Sequence, residues 1–159
     1  MSTGFSIAPV DGPSDLAAVR DLFARYAASL PVDLGYQDFA SELAALPGKY
    51  APPGGQLLLA RDPDGQPLGC VGLRPISPAG CCEMKRLFLL PSARGLGLGR
   101  TLTMAVIEEA RRLGYRELRL DTLPTMDAAI SLYAQMGFTH IAAYYKPTPA
   151  GTIFMGLAL

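Results

Sequence analysis

The chain has 159 residues, half of them hydrophobic and 18% charged, and its formal net charge at pH 7 is zero. This length suits one ordinary domain with a buried core, so we expect a single domain over residues 1–159. The charge balance argues against a nucleic-acid-binding protein, and the lack of a signal-peptide pattern or a long apolar run predicts a cytoplasmic protein without a membrane partner.

The first half of the chain predicts a helical flank followed by strands. Residues 5–10 read as a short strand, and residues 13–30 place apolar side chains at helical spacing. A second, weaker helix is expected over residues 36–46. Residues 56–76 contain two apolar runs around the turn sequence DPDG, which is typical of a hairpin, and residues 81–90 continue as a third strand.

The second half alternates helices with strands. We expect a helix over 98–115, a strand over 116–122, a helix over 125–136, and strands over 138–145 and 152–159. Strands that first follow one another and then alternate with helices favour a mixed sheet. The sequence therefore predicts an α/β (α+β) domain with a mixed, mostly antiparallel sheet of about six or seven strands and about four flanking helices.

The stretch FLLPSARGLGLGR, residues 88–100, joins a predicted strand to a predicted helix. Such a loop exposes backbone N–H groups at the positive end of a helix dipole, which suits a phosphate. A Walker loop is excluded because Arg100 stands where that motif needs a lysine. A dinucleotide-binding fingerprint also fails at Arg100, although Asp121 follows at the position of the ribose-binding acid, and the strands before the loop do not suit a doubly wound sheet.

A third pattern, Arg/Gln-x-x-Gly-x-Gly/Ala, is matched by Arg94, Gly97 and Gly99. Around it lie EMKRLFLLPSARGLGLGRTL, a strand that ends in LDT, and AAISLYAQMGF, all within residues 82–138. Together these segments resemble the GNAT superfamily of acyl-CoA-dependent N-acyltransferases. The resemblance implies a single GNAT-type domain that uses acetyl-CoA as its acyl donor.

The resemblance also implies which groups bind the coenzyme. The pyrophosphate is expected on the backbone of Arg94, Gly95, Leu96, Gly97, Leu98, Gly99 and Arg100. A backbone N–H of Leu87, Phe88 or Leu89 is expected to polarise the thioester carbonyl. One position departs from the family, because Met126 stands where an asparagine usually helps to hold the cofactor, and Asp121 or Thr122 is a candidate to replace it.

Acyl transfer to an amine needs a base, because an alkylamine with a pKa of ~10.4 is almost fully protonated at pH 7. Glu83 is the predicted base, acting through a water molecule, since an acid inside an apolar strand is costly unless it is paired or used. Strand alternation would place Glu83 and Leu87 on one face and Arg86 on the other. The resemblance implies that Tyr133, in SLYAQMGF, lies near the thioester sulfur, and since a phenol can donate a proton it is the predicted acid for the departing thiolate. Pairing of Glu83 with a neighbour and packing of the Tyr133 ring are the alternatives.

The acceptor is expected between the N-terminal helices and the late hairpin, where the family motifs stop. The candidate residues are Gln37, Asp38, Tyr50, Tyr144 and Tyr145. No metal-binding pattern is present, and the only histidine, His140, lies in a predicted strand.

The sequence therefore predicts an acetyl-CoA-dependent N-acetyltransferase that passes the acetyl group directly to a primary amine, with a small molecule as the acceptor. Three alternatives stay open: acetylation of a protein amine, a non-catalytic acyl-CoA-binding regulatory module and, third, a nucleotide-binding oxidoreductase. The sequence does not distinguish a monomer from a homodimer.

Overall fold

The computed structural model describes residues 4–159, so residues 1–3 of the expected domain lie outside the described part of the chain. Within that part, the strands are β1 (Ser6–Pro9), β2 (Gln56–Arg61), β3 (Pro67–Ile76), β4 (Cys81–Leu89), β5 (Glu117–Thr122), β6 (Thr139–His140) and β7 (Ile153–Ala158). The α-helices are α1 (Gly12–Ser29), α2 (Phe39–Ala45), α3 (Leu98–Arg112) and α4 (Asp127–Gln135). The predicted α/β class is confirmed. Between residues 4 and 159 no helix is long and apolar enough to cross a membrane.

The strands form one mixed sheet in the order β1-β2-β3-β4-β5-β7-β6. All neighbours are antiparallel except β4 and β5, which are parallel and pair only over Cys81–Glu83 and Glu117–Arg119. Beyond these residues β4 pairs only with β3, and β5 pairs only with β7. The two parallel strands therefore diverge and leave a gap in the sheet at their carboxyl ends.

Helices cover both faces of the sheet. On one face, Leu102 and Val106 of α3 pack into the larger core, which α4 also joins. On the other face, Val19 and Phe23 of α1 pack against β2, β3 and β4. The apolar residues that recur at helical spacing in α1 and α3 thus mark the buried faces, as the sequence predicts.

Leu102 offers a direct test of how α3 contributes to the core. Its side chain is fully buried, and we expect Leu102→Ala to lower the free energy of unfolding by about 2–5 kcal/mol because it leaves a cavity. Leu96→Ala is the control, since Leu96 is 56% exposed and a surface truncation changes stability by less than about 0.5 kcal/mol. Urea denaturation followed by circular dichroism measures both variants. Equal losses would contradict the docking of α3 described here.

A β-bulge in β4 changes which side chains share a face. Opposite Val71 of β3, β4 carries one extra residue, and Arg86 there takes a positive φ of 61°. As a result Arg86 and Phe88 lie on the same side of the sheet as Glu83, the α1–α2 side, whereas Leu87 packs on the α3 side. The predicted alternation is therefore wrong beyond the bulge, because one extra residue moves every later side chain to the opposite face.

The strand expected over residues 138–145 is much shorter in the structure, where β6 covers only Thr139–His140. Tyr144 and Tyr145 pack on the same ring, that of Phe154, with ring centroids 5.2 and 5.5 Å away. Consecutive strand residues point to opposite faces, so two neighbours that share one partner do not continue a strand. The irregular stretch instead brings both tyrosine hydroxyls onto one face of the sheet.

Candidate active site

The glycine loop presents a row of backbone donors. Gly95 and Gly97 have φ angles of 83° and 78°, which glycine adopts without strain. Among residues 4–159, no group accepts a hydrogen bond from the backbone N–H groups of residues 95–100, which lead into the first turn of α3. Consecutive free donors at the positive end of a helix form a site for an anion.

A groove of about 570 Å³ starts at this loop and passes between the end of β4 and the start of α4. Six of the predicted cofactor residues line it: Leu87, Phe88, Leu89, Arg94, Gly95 and Gly99. Two other side chains of the loop point elsewhere, because Leu98 is buried in the core and the Arg100 guanidinium donates to Gln135 at 2.7 Å. Gly97 offers only its backbone, and Leu96 is exposed.

A smaller cavity of about 30 Å³ occupies the gap between β4 and β5. Tyr26, Leu87 and Met126 line both the cavity and the groove, so the two spaces adjoin. The other walls of the cavity are Met84, Lys85 and Arg86 from β4, Leu120, Asp121 and Thr122 from β5, and Tyr133 from α4. An extended ligand in the groove would therefore place its end at a polar cavity.

Two tyrosines line this cavity. The Tyr133 ring packs against Phe138 with centroids 5.7 Å apart, and no residue in the range 4–159 forms a hydrogen bond with its hydroxyl. Burial raises the pKa of Tyr133, and it raises the pKa of Tyr26 to about 12. Both phenols therefore keep their protons at neutral pH and can donate them.

Glu83, the predicted base, is bound on both carboxylate oxygens. Its Oε1 accepts hydrogen bonds of 2.9 Å from the Arg74 guanidinium, and its Oε2 accepts one of 2.5 Å from the Tyr144 hydroxyl. Glu83 is 1% exposed and does not belong to the cavity wall. Its burial is compensated by these partners, as expected for a charge inside a protein.

Asp121 is the carboxylate that reaches the cavity. Its Oδ2 accepts a hydrogen bond from the Tyr145 hydroxyl and lies 3.6 Å from Lys85 Nζ. Its Oδ1 makes no hydrogen bond with the described residues. Burial lowers the pKa of Lys85, while the nearby carboxylates of Glu83 and Asp121 oppose this effect.

Arg86 connects the bulge of β4 to the N-terminal helices. Its guanidinium donates to the Glu42 carboxylate at 3.0 and 3.1 Å and to Gln37 Oε1 at 2.6 Å. Gln37 in turn donates to the Tyr145 hydroxyl at 2.9 Å. These contacts join the segment between α1 and α2 to the segment after β6.

The residues predicted to bind the acceptor divide into two groups. Gln37, Tyr144 and Tyr145 join the polar network that includes Glu83 and Asp121. Tyr50 is buried in the core and donates to Glu42, and Asp38 is exposed, and neither lines the cavity between β4 and β5.

Five residues of the cavity wall are not predicted as site residues from the sequence: Tyr26, Met84, Lys85, Arg86 and Leu120. By its spacing Tyr26 belongs with the apolar residues of the helix predicted over residues 13–30, and the pattern around Lys85 and Arg86 indicates no site. The sequence does contain a signal for Lys85 and Arg86. Two adjacent cations in an apolar strand are costly to bury unless polar groups pair with them. Regular strand alternation would place Lys85 and Arg86 on opposite faces of the sheet, so the sequence does not indicate that both line one cavity.

Comparison with known proteins agrees with this geometry. The model of the acetyltransferase (GNAT) family matches residues 17–138. An N-acetyltransferase of Schizosaccharomyces pombe is 40% identical, covering 99% of this chain and 96% of its own length. YjgM, an N-acetyltransferase of Escherichia coli, is 32% identical, covering 82% of this chain and 78% of its own.

Solved structures share the fold. A protein of Klebsiella pneumoniae named as an acyl-CoA N-acyltransferase has a TM-score of 0.76 and 30% identity, and the match covers 99% of both chains. The yncA acetyltransferase of Salmonella typhimurium, solved with acetyl-CoA, has a TM-score of 0.70 and 22% identity, and the match covers 98% of this chain and 94% of that one. With the family match and these relatives in agreement, this chain belongs to the GNAT family of acetyltransferases and is an acyltransferase.

Proposed function

We propose that this enzyme transfers the acetyl group of acetyl-CoA directly to the primary amine of a small molecule. The observation that carries the proposal is the path from the free N–H groups of residues 95–100, along the groove, to the polar cavity between β4 and β5. This path suits an extended ligand with a phosphate at one end and a reactive group at the other. When bound, acetyl-CoA supplies an acetyl group activated as a thioester.

The residues present fit that ligand. The loop donors would hold the pyrophosphate, and Arg94 lies in the groove wall and adds positive charge. A backbone N–H among residues 87–89 is proposed to polarise the carbonyl, because this part of β4 has no pairing with β5. Met126 lines both the groove and the cavity, so at this point the pantetheine arm would be held by packing rather than by a side-chain amide.

Two side chains of the cavity wall are proposed to move protons. Asp121 is the proposed base in place of Glu83, because Asp121 Oδ1 is open whereas both oxygens of Glu83 are bound. The amine nitrogen forms its new bond to the carbonyl carbon as the carbon–sulfur bond breaks. The nitrogen loses two protons, one to Asp121, which then passes it to solvent, and one directly to solvent. The Tyr133 hydroxyl gives the sulfur its proton and is reprotonated from solvent.

A small acceptor is favoured by the way the N-terminal segment closes on the sheet. The hydrogen bond from Gln37 to Tyr145 bridges the two segments that flank the polar network. An open trough for an extended peptide would need these segments apart.

The expected cytoplasmic location stays a prediction.

The glycine loop provides a test of donor binding. We expect Gly97→Ala to weaken acetyl-CoA binding by at least about tenfold, because φ is 78° there and an alanine strains the loop that carries the donors. Gly65→Ala is a matched control, since Gly65 also has a positive φ of 84° and open space around its Cα but lies in the β2–β3 turn. Calorimetric titration measures both affinities. Equal weakening in the two variants would contradict the assigned role of the loop.

The reaction itself is tested by binding and by thiol release. Acetyl-CoA and coenzyme A are expected to raise Tm, whereas NAD is not. Thiol release from acetyl-CoA is expected only when a primary amine is added. Binding without release on any amine would favour the non-catalytic module, and stabilisation by NAD alone would favour the oxidoreductase.

A further inference from the structure

Besides the Tyr133 hydroxyl, polar groups of Thr122, Lys85 and Asp121 at the cavity between β4 and β5 have no hydrogen-bond partner within residues 4–159. Thr122 Oγ1 is buried and unpaired. Lys85 Nζ lies 3.6 Å from Asp121 Oδ2 but makes no hydrogen bond, although its side chain is only 4% exposed. Asp121 Oδ1 is the third such group. Buried polar groups are almost always paired, and Thr122 Oγ1 is such a group, so its place in one cavity wall with Lys85 and Asp121 indicates a ligand that pairs it.

The positive and negative charges of the side chains near this cavity are equal in number. Each carboxylate has a cationic partner, and the members of these pairs are Glu42, Glu83, Asp121, Arg74, Lys85 and Arg86. Because these groups are largely buried, a ligand that brings a net charge would leave that charge uncompensated. A polyamine or a dianion is therefore disfavoured. A ligand with one positive and one negative group preserves the balance.

We propose that the acceptor is a free α-amino acid, whose carboxylate binds Lys85 Nζ and Thr122 Oγ1 and whose ammonium group binds Asp121 Oδ1. This inference rests on the proposed function and adds the class of its acceptor. The charges of Lys85 and Asp121 lie 3.6 Å apart, which is close to the separation of the two charged groups of an α-amino acid. The two pairs of opposite charges can therefore align head to tail.

The size of the cavity agrees with this assignment. A volume of about 30 Å³ admits a carboxylate group but not a ring. The amine, which is one carbon away from the carboxylate, then lies where the cavity meets the groove, beside Tyr26 and Met126. The side chain of the amino acid stays outside the cavity.

The test compares free amino acids with their α-carboxamides in the thiol-release assay with acetyl-CoA. A carboxamide keeps the amine but lacks the negative charge, and its ammonium group has a lower pKa, near ~8, so more of its amine is neutral at pH 7. An enzyme without a carboxylate site would therefore prefer the amide. We expect the reverse, with kcat/KM for at least one amino acid exceeding that for its amide by at least about 100-fold.

Two variants connect this preference to the cavity. Thr122→Val keeps the shape of the side chain and removes an unpaired hydroxyl, so Tm should stay the same or rise while kcat/KM for the amino acid falls at least about tenfold. Lys85→Met should bring the amino acid and the amide to similar kcat/KM values. Lys49→Met is the control, because Lys49 is exposed and does not line the cavity between β4 and β5, and it should leave the preference unchanged.

The outcomes of these experiments distinguish the proposed amino-acid site from the proposed acetyltransferase activity. Efficient turnover of amides or simple amines, with no preference for amino acids, would overturn the amino-acid site and leave the acetyltransferase intact. A Thr122→Val variant that loses activity equally on both acceptors would also overturn it. Acetyl-CoA binding without thiol release on any acceptor would overturn both proposals.

Discussion

Asp121→Asn is expected to lower kcat at pH 7 by about 10²- to 10⁴-fold, the usual contribution of a positioned base. Asp121 Oδ1 is open at the cavity, and an amide in its place cannot take a proton from the ammonium group of the acceptor. At high pH the amine deprotonates unaided, so the loss should shrink as the pH approaches the amine pKa, ~10 for an alkylamine. The pH–rate profile of thiol release for both enzymes is the measurement.

Glu83→Gln distinguishes the two carboxylates. Both of its oxygens are bound by Arg74 and Tyr144, so we expect a lower Tm but a pH–rate profile of the wild-type shape. Asp64→Asn, in the exposed β2–β3 turn, controls for the loss of a surface carboxylate and should match the wild type. A changed profile for Glu83→Gln together with a normal one for Asp121→Asn would return the role of base to Glu83.

Tyr133→Phe is expected to lower kcat by about 10²-fold while the affinity for acetyl-CoA stays within about twofold. The hydroxyl borders the cavity, and burial raises its pKa, so the phenol holds the proton that the leaving sulfur needs. The ring packs on Phe138, and phenylalanine preserves that contact. Steady-state thiol release gives kcat, and calorimetric titration with acetyl-CoA gives the affinity.

Tyr26→Phe is the matched comparison for this variant, because Tyr26 lines the same cavity with its pKa raised to about 12. A large loss in Tyr26→Phe with normal turnover in Tyr133→Phe would assign the acid to α1 instead of α4. A collapse of acetyl-CoA affinity in Tyr133→Phe would show that its hydroxyl serves binding.

Local sequence signals were enough to predict the groove. Gly95 and Gly97 stand at positive φ angles, and the amphipathic pattern after them predicts α3 and hence the direction of the free N–H groups. The order of helices and strands follows from the same short-range patterns. These features depend on residues close together in the chain, which is the range over which periodicity and turn residues carry information.

The polar cavity was harder to predict because its geometry depends on distant contacts. Arg86 is not a residue type that signals a positive φ, and its partner Glu42 lies 44 residues away in the chain. Tyr144 and Tyr145 reach Glu83 and Asp121 only because the chain leaves the strand pattern after β6. The bulge and this departure, both absent from local patterns, decide which carboxylate is open to a substrate.

The parallel pairing of β4 and β5 is short, although the larger core packs across it. Within residues 4–159, three residue pairs between Cys81–Glu83 and Glu117–Arg119 join strands β1–β4 to strands β5–β7. The first part carries most of the groove wall, and the second carries Asp121 and Thr122. The placement of the acceptor relative to the groove therefore depends on this seam and on the side-chain pairs that cross it, Lys85 with Asp121 and Glu83 with Tyr144.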